Sequence, residues 1–107
     1  TNKLVSFVSD ETSITMFSSE IVYVEGKVHG CTIHAAKKSN PIAQNFAEFT
    51  EGLWDRFYNC HRNISVNTAF IDRIDGSTAI LTDGRKLKVD KPKITELVEL
   101  MESYDSN

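Results

Sequence analysis

Residues 59 to 67 read NCHRNISVN and set His61 and Arg62 among three asparagines and a serine. The planar fork of Arg62 suits a phosphate or a guanine edge, and Asn63 can both donate and accept toward a base. A competing account is purely local: asparagine favours turns and satisfies loose backbone groups, so these side chains would tie down a tight turn. On the residues alone the turn account is the stronger, because one arginine with two asparagines is not a base-reading signature. Alternation beyond Phe57 turns Cys60, Ile64 and Val66 inward and leaves His61, Arg62, Asn63 and Asn67 outward.

Other groups with chemical potential lie downstream. Arg85, Lys86, Lys88, Lys91 and Lys93 fall within nine residues beside a single acid, Asp90, whereas residues 94 to 107 carry Glu96, Glu99, Glu102 and Asp105 and no base. A net charge of −3 taken whole opposes a nucleic-acid partner, but this clustering lets a basic surface exist on an acidic chain. His29, Cys31, His34, Cys60 and His61 match no closed zinc spacing, so the thiols are expected in the core and the histidines at the surface or in caps, with no metal and no cofactor. His61 reads as a hydrogen-bonding residue of its turn. No paired carboxylates, P-loop or Ser-His-Asp order is present, and Cys60 and His61 would face opposite ways in an extended chain, so catalysis is not expected.

Those groups need positioning. Leu4 to Val8, Ile14 with Met16, and Ile21 to Val24 form short β-branched runs that read as strands. Gly26 and Gly30 bracket Lys27, Val28 and His29, so the chain turns there before a strand from Cys31 to Ala35; residues 37 to 41 read as a polar turn. NFAEFTEGLWDRF, residues 45 to 57, shifts to a helical period, with Asn45 and Glu48 forming a capping box and Phe46, Phe49, Leu53, Trp54 and Phe57 along one face. That aromatic stripe reads as core. Two Asp-Gly pairs then separate FIDRI, TAILT and RKLKV into a three-stranded antiparallel meander. Pro92 opens a C-terminal helix whose stripe is Ile94, Leu97, Val98 and Met101. The pattern is mainly β with two helices, and no helix-turn-helix, zinc finger or basic zipper is present. Any nucleic-acid reading falls to loops.

The totals bound the rest. A chain of 107 residues, 40% hydrophobic and 25% charged, holds one domain with a modest core. Its first residue is Thr1 rather than Met, which points to a piece cut from a longer protein or a processed product. No apolar run reaches the roughly eighteen residues of a membrane span, and two cysteines make no disulfide framework, so a reducing cytoplasm is the expected compartment.

FYNCHRNISVN followed by AFIDRID, a DG hairpin and a short basic strand resembles the LytTR family of DNA-binding domains, whose motif places His-Arg and Val-Asn pairs at this spacing after a single mid-domain helix. IVYVEGKVHG resembles the family's Ile-x-Tyr-Ile-Glu strand and following loop, and NFAEFTEGLWDRF its helix. The resemblance covers nearly the whole chain. It implies about ten short strands in three small antiparallel sheets, and loops that enter successive major grooves of double-stranded DNA at paired repeats bound as a dimer. It also implies the output role of a bacterial two-component response regulator, behind a receiver domain addressed by a sensor histidine kinase.

Carried over position by position, the DNA-facing places are Lys27 and His29, then Arg62 and Asn63, then Lys91 and Lys93 with Lys88 beside them. Two departures stand out. Asn63 replaces the family's usual Ser, and Asp90, Lys91 and Pro92 replace a Ser-Arg-Arg triplet, leaving lysines that meet phosphate as point charges rather than forks. The rival reading from another class is a non-catalytic β-rich protein-interaction or sensory module whose basic strand meets an acidic partner.

Overall fold

The computed structural model describes residues 2–105. The early β-branched runs become β1 (Leu4–Ser9), β2 (Thr12–Phe17), β3 (Ile21–Lys27) and β4 (Gly30–Ala35). The polar stretch expected as a turn over 37 to 41 instead yields β5 (Ser39–Ile42), which pairs antiparallel with β4. Pro41 is tolerated because β5 is the sheet's edge, where a missing N–H leaves no ladder bond open.

The mid-chain helix is shorter than its period suggested. α1 runs only Phe46–Glu51, with Asn45 Oδ1 accepting from the Glu48 N–H at 3.1 Å, one half of the expected capping box. Gly52 leaves the helical region at φ −87°, ψ 4° and ends the element. Glycine costs a helix about 1 kcal/mol relative to alanine. Phe49 and Leu53 are buried as the stripe required, while Phe57 begins β6 (Phe57–His61). β7 (Ile64–Asn67) returns beside it.

The expected meander forms as β8 (Ile71–Asp75), β9 (Thr78–Leu81) and β10 (Lys86–Lys88), and the last helix, α2 (Ile94–Asp105), follows a 3₁₀ turn over Lys91–Lys93. Ten strands thus make three antiparallel sheets: β1-β2, β10-β9-β8 and a central β5-β4-β3-β7-β6.

The central sheet is buried on both faces. One face, with Ile21, Val24, Cys31 and Ile33, lies under Phe7 of the β1-β2 hairpin and Phe49 of α1; the other, with Val22, Cys60 and Val66, packs on the meander and on Leu97 of α2. Each fully buried aliphatic side chain contributes roughly 1.5–3 kcal/mol, which two thin layers need to hold so short a chain together. A bulge between Ile21 and Tyr23 sends Val22 and Tyr23 to the same side and so lets β3 serve both layers. Cys31 and Cys60 sit in opposite layers and are both free. Burial pushes each thiol up to about 11.

Asn67 corrects the outward assignment made from alternation. It is 0% exposed, donating to the Ile21 carbonyl at 3.1 Å and accepting from the Ala69 N–H at 3.0 Å. The β7 strand is covered on both sides at that point, so a polar residue there must find backbone partners.

Candidate nucleic-acid interface

Strand registers fix where the polar turns emerge. Glu25 pairs with Ile64 and Tyr23 with Val66, and His61 pairs with Ile64, so the β3-β4 turn and the β6-β7 turn leave the same end of the central sheet. Each is a two-residue turn: Val28 and His29 between Lys27 and Gly30, Arg62 and Asn63 between His61 and Ile64. Lys27, Val28, His29, Arg62 and Asn63 are all exposed.

Backbone hydrogen bonds join the two turns. The Gly26 N–H donates to the Asn63 carbonyl at 2.7 Å, and Gly26, Lys27, Val28, Arg62 and Asn63 line one shallow cleft of about 380 Å³. A Cβ at Gly26 would press on the Phe46 ring of α1 at a tight 3.2 Å, and glycine is required at Gly30 because φ is +106° and a Cβ would run into the Ile42 carbonyl of β5. Helix and edge strand therefore brace the first tip from below.

The second tip is organised by side chains. His61 Nδ1 accepts from the Asn63 N–H at 3.3 Å, which places the ring proton on Nε2, 4.0 Å from an Asp90 carboxylate oxygen. Asn59 donates to the carbonyls of His61 at 2.9 Å and Ile64 at 3.1 Å, across the neck of the turn. His61 is thus the turn residue that its type suggested.

The third expected place is tied to the second. Lys93 Nζ donates to the Asn59 carbonyl at 2.7 Å and to Asn59 Oδ1 at 2.9 Å, the Asp90 N–H donates to the Cys60 carbonyl at 2.8 Å, and the Cys60 thiol faces the Lys88 carbonyl at 3.7 Å. Two of the three ammonium donors of Lys93 are spent on Asn59, so its first duty is to hold β6 in place. Lys86 and Lys88 stand exposed on either side of buried Leu87, and Lys91 is exposed in the turn before α2. Arg85 leaves the basic group: it pairs with Asp83 at 2.7 Å and lies 5.5 Å over the Tyr23 ring, and its hydrogen bonds hold the Asp83 carboxyl below its ordinary range.

Lys27 carries a partner as well. Glu25 lies 3.3 Å from its ammonium and 3.1 Å from His34 Nε2; burial pushes the Glu25 carboxyl up, but the bonds from His34 and Lys27 outweigh it and leave it below its usual value. His34, stacked on Tyr23 at 4.2 Å and bonded to Ser39, is a strand-bridging residue. Among the described residues no group of histidines, cysteines and acids is placed to hold a metal ion.

Two residues of this end were not singled out from their types. Asn59, which clamps the second tip and receives Lys93, reads in sequence as one more turn-forming amide. Val28 is 92% exposed at the first tip; its signal was an apolar residue inside a glycine-bracketed turn between Lys27 and His29.

The LytTr DNA-binding domain family model matches residues 11–102. No curated protein matches the chain. Among solved structures, a Bacillus cereus domain described as the LytTr DNA-binding domain of a methyl-accepting/DNA response regulator is similar in fold, with a TM-score of 0.75 at 22% identity over 92% of this chain and 95% of that one. Among the described residues no helix is long and apolar enough to cross a membrane.

Proposed function

This chain belongs to the LytTr family of DNA-binding domains, and from that premise we propose that it binds double-stranded DNA sequence-specifically through the joined tips of its central sheet. Arg62 and Asn63 meet base edges or phosphate in the major groove, Lys27 and His29 make adjacent groove contacts, and Lys88, Lys91 and the remaining donor of Lys93 meet phosphates and set register. The observation that carries this reading is the shared cleft of Lys27, Arg62 and Asn63, held by the Gly26 to Asn63 bond. Two rigidly joined polar tips can enter a groove without reordering, which spares the entropy that a mobile loop would lose.

The wider role follows as part of the same proposal. The domain is the output unit of a two-component transcription regulator, with a receiver domain ahead of it and a sensor kinase upstream, and it binds paired repeats as a dimer. An exposed lysine row on a chain of net charge −3 suits phosphate neutralisation confined to one face.

Selecting bound fragments from random duplex DNA tests the reading, followed by salt dependence on the enriched site. A short enriched motif is expected, with affinity falling by ~10³ or more from 50 to 200 mM salt if six to ten phosphates are contacted. No enrichment, or a nearly flat salt response with an acidic protein partner, would favour the interaction-module reading instead.

A further inference from the structure

Val28 has no role in folding that its surroundings explain. It is the most exposed large apolar side chain among the described residues, at 92%, against 63% for Leu4, 60% for Val8 and 47% for Phe17, all three of which lie on the β1-β2 hairpin. A β-branched apolar residue is also uncommon at a turn tip, where Gly, Asn, Asp and Ser dominate. Yet its position is fixed. The Gly26 N–H bond to Asn63, the Phe46 ring against Gly26 and the Ile42 carbonyl against Gly30 hold the tip in one place relative to Arg62.

The flanking residues say what such a group can meet. Lys27 and His29 on either side are exposed and polar, and the cleft that Val28 lines also holds Arg62 and Asn63. In a major groove the base edges present donors and acceptors everywhere except at one apolar feature, the C5-methyl group of thymine. We propose, resting on the DNA-binding reading above, that Val28 contacts a pyrimidine 5-methyl group, so that the binding site favours a thymine opposite the β3-β4 tip while Arg62 and Asn63 read the polar edges beside it.

Replacing each thymine of the selected site by deoxyuridine, one at a time, removes only the methyl group. In a mobility-shift assay with the full chain, one position is expected to lose about fourfold in affinity, the effect of burying a single methyl. Cytosine at that position should bind more weakly than 5-methylcytosine, which separates the methyl from the base that carries it. Val28→Ala, expected to fold normally because the side chain is exposed, should lose the uracil discrimination at that position alone and keep any seen elsewhere. Wild-type indifference to every thymine-to-uracil change, or unchanged discrimination in Val28→Ala, would overturn the inference and leave DNA binding standing. Failure to enrich any duplex would overturn both.

Discussion

The two ends of the central sheet use the same residue types for opposite ends. At the tip end Arg62 and Asn63 are exposed, and Asn63 is tied to the fold through its backbone carbonyl and N–H. At the far end Asn67 is sealed between Ile21 and Ala69, and the Arg56 guanidinium lies 4.2 Å over the Tyr104 ring and 5.5 Å over Trp54, its Nε buried with no hydrogen-bond partner among the described residues. Arginine and asparagine stay exposed or become structural groups according to which end of a strand they occupy. The strands decide that.

The comparison breaks most readily at Asn67. Asn67→Ala leaves the buried Ile21 carbonyl unpaired and removes the part-buried bond to the Ala69 N–H, so chemical denaturation should show a loss of about 1–3 kcal/mol. The folded fraction should keep its DNA affinity. A stable Asn67→Ala chain with weakened binding would mean that the far end shares in recognition.

Lys93→Ala sharpens the tip side. It removes the proposed phosphate contact and the clamp on Asn59, so affinity should fall about equally on all sequences while the salt slope drops by about one. A wild-type slope with reduced affinity would make Lys93 a tether only.

The smallest effect concerns acid. The Glu25 carboxyl is held below its ordinary value of 4.5 in the folded chain. Its stabilisation is therefore present above pH 4.5 and is lost as pH falls through the lower folded value. Glu25→Gln should flatten that part of the acid-unfolding curve slightly, because the group is partly exposed and screened. An unchanged curve would mean that its bonds to Lys27 and His34 add nothing to the bracing of the first tip.

Much of this arrangement is legible from residue types, because the signals are local. Strands β1 to β4, the Asp-Gly meander and α2 follow from periodicity and turn residues, and Arg62 and Asn63 do emerge from a turn. The failures share a cause. Ser39 to Pro41 look like a turn because proline and asparagine break most strands, yet an edge position relieves both objections. Asn67 alternates outward only if β7 has a free face, and the packing of Ile21 against it is not visible in sequence. The Lys93 to Asn59 bond spans 34 residues and arises only when the 3₁₀ turn before α2 docks on β6. Local pattern writes the elements, and tertiary cover decides which polar residues stay outside.

The most direct measurement is a paired one, DNA affinity and unfolding free energy for Arg62→Ala and Arg56→Ala on the selected site. Arg62→Ala should lose about 1–3 kcal/mol of binding with stability unchanged. Arg56→Ala should bind as the wild type does but lose about 1–2 kcal/mol of stability, from cation–π contacts with two rings. Wild-type affinity in Arg62→Ala, or weakened binding without lost stability in Arg56→Ala, would contradict the division between the two ends.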